Sequence, residues 1–386
     1  MDKKRILKNG LSFLMCASML FGSGCGTAKK ASGTAFSSLA SEQPVRLVAN
    51  AVWTYMQTDG DVPITELQST LGYTRSNRFD MGEPVRISFS WETNEGVSVK
   101  SASIDVSESA KFTDALSYPV DLREDYASVY NLKTGTKYYY RLNLRLSDNT
   151  WARSTGEFET AETPRFMYVT GASNVRDIGG WNSTLGGKLK QGMLYRGSEI
   201  DGKKNTNISG FCIDEAGKET MLSVMGIKSD FDLRNPSELG LNPNSAGILG
   251  ESVTRTFLPS AYYEQILSQP ETLKTAFTAF ANPDAYPVYL HCTHGVDRAG
   301  TMTLVLEALL GVEKADLIRD YELSNYFYEQ VDRFYDQNGG DILTLISMLE
   351  ENYAGETLAD KTADMLLKAG VTQTQIDTIR SIFIES

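Results

Sequence analysis

The chain has 386 residues, a net charge of −12 at pH 7, four cysteines and two histidines. An acidic balance of this size argues against nucleic acid and against a bare anionic membrane surface as partners. Two of the cysteines, Cys16 and Cys25, lie in the N-terminal segment, and the remaining Cys212 and Cys292 are too few for a disulfide framework.

The first elements in chain order are a targeting segment and a linker. Residues 1–24 join a basic start to a short apolar run, Leu11 to Phe21, and end in small residues before Cys25. This order predicts a secretory signal, because the run is too short to span a bilayer. The small residues before Cys25 resemble a bacterial lipobox, which would make Cys25 the lipidated first residue of a cell-envelope lipoprotein. Ordinary cleavage nearby is the alternative, and residues 25–44 are interpreted as a flexible tether.

The next segment, residues 45–162, has the pattern of a β domain. Apolar and polar side chains alternate over 85–91 and over 137–146, which predicts strands with one buried face. Trp91 on an early strand and Tyr138 after a glycine-bearing turn resemble a fibronectin type III sandwich with its tyrosine corner. Such a fold assigns no function, and a spacer or brace and a binding module both fit it.

Residues 165–386 have a different pattern, in which short apolar runs alternate with amphipathic stretches. Strand-like runs at 227–232 and 287–291 alternate with helical stretches near 214–225 and 261–281. This alternation predicts an α/β fold with a mainly parallel sheet flanked by helices. Further helices are expected near 313–336, 341–352, 357–368 and 373–384. We therefore expect a multidomain chain, with an all-β sandwich followed by an α/β domain.

Residues 292–298, which we call the nucleophile loop, lie between the strand-like run 287–291 and a helix-like run. Both histidines flank Cys292, and Arg298 follows it by six positions. A loop that opens onto a helix N-terminus offers backbone N–H groups and the positive end of the helix dipole to an anion. The same field favours a thiolate, and an arginine can hold two phosphate oxygens. The pattern predicts a phosphate site in which Cys292 forms a phosphocysteine that water hydrolyses. An inert core thiol beside a surface arginine is the alternative.

Residues 291–300 resemble the signature of the cysteine-dependent protein tyrosine and dual-specificity phosphatases. Asp297 before Arg298 is similar to a bacterial and fungal branch of that family. Two more stretches match the branch in order, namely 174–180 with 194–198, and 226–238, which contains Asp-Leu-Arg. The resemblance covers about residues 165 to 386. It implies a phosphatase that acts on phosphotyrosine or a comparable phosphomonoester, and neither cofactor nor metal is expected. Together with the N-terminal signal and Cys25, this predicts an exported, membrane-tethered phosphatase.

The resemblance also assigns roles in the reaction. It makes Cys292 the nucleophile and Arg298 the phosphate ligand. The phosphate-binding backbone is that of Thr293, His294, Gly295, Val296, Asp297 and Arg298. Asp297 is where the resembled branch carries the general acid that protonates the leaving alcohol. The alternative is that Asp297 only orients Arg298.

Supporting roles are expected for residues outside the nucleophile loop. His291 is expected to hold the loop and to stabilise the thiolate. Asp232 is the second candidate for the acid, although a carboxylate that pairs with Arg234 or caps a turn is at least as good an interpretation. Arg176 and Asp177 resemble residues that line the site in the family.

Three features of the sequence depart from the family pattern or stand outside it. Ala299 replaces the usual Ser or Thr, so the hydroxyl that stabilises the departing thiolate is missing, and Thr301 is a candidate substitute. Val296 replaces a frequent Lys, which weakens the expectation of a phosphoinositide substrate. Outside the cytoplasm, a reversible disulfide with Cys212 would protect Cys292 from oxidation. Two alternatives to a tyrosine phosphatase remain: a phosphate-binding pseudophosphatase, which Ala299 motivates, and an inositol-phosphate or phosphoinositide phosphatase, which Val296 makes less favoured.

The expected partners are a phosphorylated protein or a small phosphomonoester, together with a membrane that is reached through a lipid on Cys25. Nucleic acid is not expected.

Overall fold

A computed structural model describes residues 36–39, 44–58, 87, 89–92, 96–123, 126–127, 129–162, 164–202, 210–235, 247–327 and 341–385. The predicted signal, residues 1–24, and the predicted lipidation site Cys25 lie outside these ranges. Within them, no helix is long and apolar enough to cross a membrane.

The N-terminal part of the chain forms an all-β region. Its strands are β1 (Phe36–Leu39), β2 (Phe89–Glu92), β3 (Val99–Ser107), β4 (Leu116–Asp121), β5 (Tyr126–Ala127), β6 (Lys137–Leu146) and β7 (Trp151–Glu159). Strands β1 and β2 pair antiparallel, and the others form a second antiparallel sheet in the order β5-β4-β3-β6-β7.

The alternation along β6 decides which face of the second sheet is buried. Tyr138, Tyr140, Leu142 and Leu144 are all buried in the core of the β region, as the period-two pattern predicts. The hydroxyl of Tyr138 accepts a 2.8 Å hydrogen bond from the backbone N–H of Lys133, which closes the turn before β6. A tyrosine corner makes this same contact.

Two stretches near the N-terminus differ from the predicted boundaries. Strand β1, Phe36–Leu39, falls within the segment interpreted as a flexible tether, and pairing with β2 orders it. Helix α1 (Asn50–Met56) falls within the predicted β domain, but Val52 and Tyr55 pack in the core of the α/β region instead. An apolar helical face of this size has to be buried against another element, and the α/β core supplies that surface.

The C-terminal part of the chain contains a six-stranded sheet. Its strands are β8 (Arg165–Phe166), β9 (Arg176–Asp177), β10 (Leu194–Gly197), β11 (Ser229–Asp232), β12 (Thr254–Phe257) and β13 (Val288–His291). The order is β12-β11-β13-β10-β9-β8, in which β12, β11, β13 and β10 pair parallel with one another and β9 pairs antiparallel with both β10 and β8. The sheet is therefore mainly parallel, as predicted.

Helices pack around this sheet close to the predicted positions. They are α2 (Glu215–Glu219), α3 (Pro270–Phe280), α4 (Asp297–Leu309), α5 (Lys314–Glu322), α6 (Ile342–Asn352), α7 (Leu358–Lys368) and α8 (Gln373–Phe383). A π turn, Thr220–Val224, continues α2, and a 3-10 turn, Tyr263–Ser268, precedes α3. The predicted helix over 313–336 ends in a 3-10 turn, Leu323–Tyr326, and residues 328–340 lie outside the described ranges.

Helix α4 is the central element of the α/β region. Every residue from Ala299 to Leu309 is buried, which is the pattern of a helix covered on all sides by other elements. Because α4 follows β13 after a short loop, its N-terminus lies at the carboxyl edge of the parallel strands. Ligand sites of open α/β sheets occur at this edge.

Direct hydrogen bonds join the β region to the α/β region. The side-chain oxygen of Gln191 accepts from Thr134 N at 2.9 Å, and its amide donates to Thr134 O at 2.8 Å. The guanidinium of Arg165 donates to the carbonyl of Leu132 at 3.0 Å. Both contacts involve the chain segment that precedes β6, so the turn before β6 is one of the places at which the two regions meet.

Candidate active site

Cys292 lies at the floor of the candidate site. Strand β13 ends at His291, α4 begins at Asp297, and Cys292 is the first residue between them, with a relative exposure of 3%. Val296, at the N-cap position of α4, provides no side-chain cap. The first N–H groups of this helix are therefore left without the usual capping oxygen, as an anion-binding helix terminus requires.

The carbonyl groups of the nucleophile loop are held from outside by the rest of the domain. The ring Nδ1 of His291 lies 3.3 Å from the carbonyl of Cys292, and Glu199 N donates to the carbonyl of Thr293 at 3.1 Å. Asn174 Nδ2 donates to the carbonyl of His294 at 3.4 Å. Arg196 Nη2 donates to the carbonyls of Gly295 at 2.9 Å and of Val296 at 3.5 Å. A trans peptide directs its N–H opposite to its carbonyl. The N–H that follows each of these carbonyls is consequently directed away from the group that holds the carbonyl.

Gly295 allows the nucleophile loop to approach the end of β10. Its φ is +71°, and a Cβ atom at this position would lie 2.4 Å from the carbonyl carbon and oxygen of Gly197. Only glycine combines this left-handed backbone with such a close contact. The glycine of the sequence motif is thus required by the backbone of a neighbouring strand.

Arg196 supports the nucleophile loop from inside the protein. It is buried on β10, where its Nη1 donates to Asp320 Oδ2 at 2.5 Å, while Asp320 Oδ1 accepts from Arg176 Nε at 2.9 Å. Burial and the neighbouring Arg176 lower the pKa of Arg196 to about 10. Burial acts to raise the pKa of Asp320, but the charges of Arg176 and Arg196 outweigh it and lower that pKa. One carboxylate thus holds two guanidinium groups in place.

His291 is fully buried behind the nucleophile. Its Nε2 lies 2.8 Å from Asp230 Oδ1 and 3.9 Å from Asp232 Oδ2. Burial acts to lower the pKa of His291, but the carboxylates of Asp232 and Asp230 outweigh burial and raise it. A protonated imidazole donates from both nitrogens, and its Nδ1 then bonds the carbonyl of Cys292. His291 therefore lies behind the nucleophile loop and contacts its first carbonyl, and its supporting role stays a prediction.

Asp232 lies in an ion-pair cluster. Its oxygens accept from Arg234 Nε and Nη2, both at 2.8 Å, and from Arg255 Nη2 at 2.5 Å. Burial acts to raise its pKa, but His291, Arg234 and Arg255 outweigh burial and lower it, so Asp232 has no proton to donate at neutral pH. The geometry favours pairing with Arg234 over the acid role. Arg234 also binds Glu199 at 2.6 Å.

Arg298 lies at the rim of the nucleophile loop and is half-buried. Its Nη1 is 3.5 Å from the carbonyl of Leu233, and its Nη2 donates to Thr293 Oγ1 at 3.3 Å. Both contacts are long, so the guanidinium can turn towards phosphate oxygens with little loss of bonding. Thr293 belongs to the loop itself and Leu233 follows β11, which places Arg298 between the two.

Asp297 contacts a residue that no sequence pattern indicated. Tyr263 donates its phenol hydrogen to Asp297 Oδ1 at 2.5 Å, and its oxygen lies 2.8 Å from the hydroxyl of Tyr321. The hydroxyl of Thr301 donates to the carbonyl of Asp297 at 2.8 Å and accepts from Tyr263 N at 2.7 Å. The hydroxyl of Thr301 therefore makes its hydrogen bonds on the side of α4 that faces Tyr263. Neither of these bonds points it towards the sulfur of Cys292.

Arg176 and Asp177 do not line the site, which corrects the expectation from the resemblance. Arg176 is buried and donates hydrogen bonds to Asp320 and Asn174. It therefore supports the nucleophile loop indirectly, through residues that contact the loop. The carboxylate of Asp177 accepts from Arg165 Nη1 and from Gly192 N, both at 2.6 Å. Both residues lie on β9, which is an interior strand next to β10, and both side chains are buried in the protein.

Cys212 and Cys292 are both free thiols. Cys212 is half-buried, its sulfur lies 3.8 Å from the carbonyl of Ile213, and it lines a cleft of about 360 Å³ formed mainly by residues 167–175. No contact between the two sulfurs occurs among the described residues. The redox pairing of Cys212 with Cys292 stays a hypothesis.

Several residues of the site were missed from sequence. Asn174 and Arg196 stand in stretches that carry the family resemblance, but no role in holding loop carbonyls was deduced for them. Asp320 falls in a predicted helix, where an acidic residue is ordinarily expected to face solvent. Tyr263 follows another tyrosine in a stretch without a motif, and only its contact with Asp297 identifies it.

Comparison with known proteins places the chain in a family. The model of the tyrosine phosphatase family matches residues 167–385, which is more than half of the chain. A protein of Cupriavidus necator named as a tyrosine-protein phosphatase is 25% identical over 176 residues, which are 40% of this chain and 60% of that protein. A tyrosine-protein phosphatase of Nostoc commune is 27% identical over 128 residues, which are 28% of this chain and 44% of that protein. The chain spans about half the length of these curated relatives.

Among solved structures, the core catalytic domain of the PP-IP phosphatase SIW14 from S. cerevisiae, in complex with citrate, is similar to part of the chain. The sequence identity is 14% and the TM-score is 0.26, with 35% of this chain and 74% of that chain covered.

Proposed function

We propose that this chain, which belongs to the tyrosine phosphatase family, hydrolyses phosphate monoesters through a phosphocysteine on Cys292. The observation that carries the proposal is the arrangement of the nucleophile loop. Its carbonyls are held from outside, which leaves its N–H groups on the opposite side, next to a buried thiol at an uncapped helix N-terminus. Such an array of fixed donors stabilises the charge that develops on phosphoryl oxygens in the transition state.

The residues divide the first step between them. The thiolate of Cys292 attacks phosphorus, so that an S–P bond forms while the P–O bond to the alcohol breaks. Arg298 and the loop N–H groups hold the equatorial oxygens through this step. The leaving oxygen takes a proton from Asp297, which becomes a carboxylate.

The second step releases the enzyme. Water attacks phosphorus, the Asp297 carboxylate takes a proton from that water, and the S–P bond breaks. The products are inorganic phosphate and the Cys292 thiolate. The imidazolium of His291, which bonds the carbonyl of Cys292, favours the thiolate as the leaving group through its positive charge.

A second candidate function is a phosphate-binding pseudophosphatase, and Ala299 is the observation in its favour. The residue after Arg298 carries no hydroxyl to stabilise the departing thiolate, and Thr301 donates to the carbonyl of Asp297 instead. In this alternative phosphate binds normally, but turnover is negligible because the phosphocysteine does not hydrolyse.

The deciding experiment is a rapid-mixing assay with 4-nitrophenyl phosphate, followed by acid quenching and mass spectrometry of the peptide that contains Cys292. We expect steady turnover and a trapped phosphocysteine on Cys292. Cys292→Ser should lose both, while Cys212→Ser, a matched change at the other free thiol, should retain both. A burst of one equivalent without turnover would support the pseudophosphatase. No burst and no turnover, with intact phosphate binding, would refute covalent catalysis.

We propose phosphotyrosine as the preferred substrate class. The support is the family to which residues 167–385 belong, together with Val296 at a position where a lysine would favour highly charged phosphoinositides. A panel of phosphotyrosine peptide, phosphoserine peptide and phosphoinositide tests this specificity. A kcat/KM for phosphoinositide above that for phosphotyrosine would overturn it.

We also propose export and membrane attachment, which rest on the basic start, the short apolar run and Cys25 in the sequence. The β region would then be a fibronectin type III-like brace between the lipid and the catalytic domain, supported by the Tyr138 corner and by the bonds of Gln191 to Thr134. Metabolic labelling with an alkyne-tagged fatty acid tests the attachment. We expect label on the wild type and none on Cys25→Ser, and a mature N-terminus without lipid would contradict the proposal.

A further inference from the structure

We propose that Tyr263 is a positioning residue that holds the carboxyl group of Asp297 in the orientation needed for proton transfer to the leaving group. This inference rests on the proposed function and adds a residue to it. Tyr263 lies outside the nucleophile loop, in a turn between β12 and α3, and no sequence motif includes it.

The contact between Tyr263 and Asp297 is made at two points. The phenol donates to Asp297 Oδ1 at 2.5 Å, which fixes one carboxyl oxygen. The backbone N–H of Tyr263 donates to Thr301 Oγ1 at 2.7 Å, and the Thr301 hydroxyl donates to the carbonyl of Asp297 at 2.8 Å. Tyr263 is therefore hydrogen-bonded to the side chain of Asp297 directly and to its main chain through Thr301.

The backbone of Tyr263 is held in an unfavourable conformation to make these contacts. Its φ is +54°, in the left-handed region that residues other than glycine rarely adopt. Such a conformation persists only where the surroundings determine it, and functional sites are where it is often found. Here the hydrogen bond to Thr301 and the packing of the buried ring on Tyr321 determine it.

Tyr321 completes the hydrogen-bond chain. Its hydroxyl lies 2.8 Å from that of Tyr263, and the two rings meet edge to face with centroids 6.2 Å apart. Burial, Tyr321 and Asp297 all raise the pKa of Tyr263, so its phenol keeps its proton at every pH at which an assay is run. Tyr263 is thus a fixed donor, and the proton that reaches the leaving group comes from Asp297.

The balance of the step shows when the phenol matters. Asp297 gives its proton to the leaving oxygen as the P–O bond breaks and the S–P bond forms, which leaves a carboxylate. The Tyr263 hydroxyl donates to this carboxylate, and a hydrogen bond to a charged acceptor is stronger than one to a neutral group. The benefit is largest for alcohols that cannot leave without a proton, and small for good leaving groups such as 4-nitrophenol.

The experiment compares Tyr263→Phe with Tyr262→Phe, which removes a hydroxyl from the neighbouring ring that is 43% exposed. We expect Tyr263→Phe to lose about tenfold or more in kcat on an alkyl phosphate, and less than about threefold on 4-nitrophenyl phosphate, with KM changed little on either. Tyr262→Phe should match the wild type on both. An equal loss on the two substrates would indicate a merely structural role and would overturn the inference.

Two further variants keep the test decisive. In an Asp297→Asn background, Tyr263→Phe should add no further leaving-group-dependent loss, because its effect acts through Asp297. If Tyr263→Phe does not fold, as judged by circular dichroism, Thr301→Val should show the same selective loss at smaller size. The role would be refuted if Tyr263→Phe and Asp297→Asn multiplied each other's losses in kcat. It would also be refuted if Thr301→Val lowered kcat equally on the alkyl phosphate and on 4-nitrophenyl phosphate. Absence of turnover by the wild type would instead refute the proposed function.

Discussion

The imidazole Nε2 of His291 lies 2.8 Å from Asp230 Oδ1, and both side chains are buried. The two residues come from β13 and β11, which are adjacent parallel strands. The contact therefore joins the strand that precedes Cys292 to the neighbouring strand. Its strength depends on pH, because the imidazole of His291 is charged only when it is protonated.

The first prediction follows from this contact. The folded state raises the pKa of His291, so the ion pair contributes fully below the unfolded pKa of about 6.5 and is lost as pH rises through the folded pKa. Asp230→Asn should lower the free energy of unfolding by about 3 kcal/mol at pH 6, and by progressively less as pH rises. Urea unfolding between pH 6 and pH 9 measures this, with the exposed Asp284→Asn as the control. A difference that is independent of pH would contradict the pairing.

The second prediction concerns Asp320, the carboxylate between Arg176 and Arg196. Asp320→Asn removes the carboxylate that pairs with both buried guanidinium groups, so we expect a loss of about 3–5 kcal/mol in unfolding free energy. Asp316→Asn on the same helix breaks the partly exposed pair with Arg319 and should cost under about 1 kcal/mol. Chemical denaturation of the two variants gives the comparison, and equal losses would argue against Asp320 as the central partner.

The third prediction concerns Gly295 and uses Gly250 as its matched control. Both have a left-handed φ, but a Cβ at Gly295 would meet the Gly197 backbone at 2.4 Å, while a Cβ at Gly250 would meet nothing within 4 Å. Each alanine should cost about 1–2 kcal/mol for its backbone alone. Only Gly295→Ala should also displace the nucleophile loop and weaken inorganic phosphate binding by about tenfold or more. Calorimetric titration with phosphate tests this, and unchanged affinity would show that the loop absorbs the contact.

The fourth prediction concerns Ala299, which is buried in the same cluster as Cys292. Ala299→Ser introduces the hydroxyl that can stabilise the thiolate as the phosphocysteine breaks down. We expect the steady-state rate on 4-nitrophenyl phosphate to rise and the pre-steady-state burst to shrink, since the second step no longer limits turnover. Stopped-flow absorbance at 400 nm, roughly where nitrophenolate absorbs, separates the two phases. An unchanged ratio of burst to steady rate would mean that phosphocysteine hydrolysis does not limit the wild type.

Local patterns determined much of the fold. The period-two alternation over 137–146 placed β6, because a strand with one buried face has no other way to order its side chains. The amphipathic stretches of the C-terminal half placed α6, α7 and α8 within one or two residues of their bounds. Helix α1 was missed, since its apolar face is buried by residues far along the chain, among them Tyr326, whose ring packs against that of Tyr55.

The same division holds within the candidate site. The residue types and spacing of the nucleophile loop predicted a buried thiol at a helix N-terminus, since a strand, a short loop and a helix in succession leave few other arrangements. What holds that loop depended on contacts between distant segments, such as Arg196 with Gly295 and Tyr263 with Asp297. Sequence spacing encodes neighbours along one element. Partners contributed by separate strands and turns exist only once the sheet has brought those elements together, and that is why the tertiary structure alone decided them.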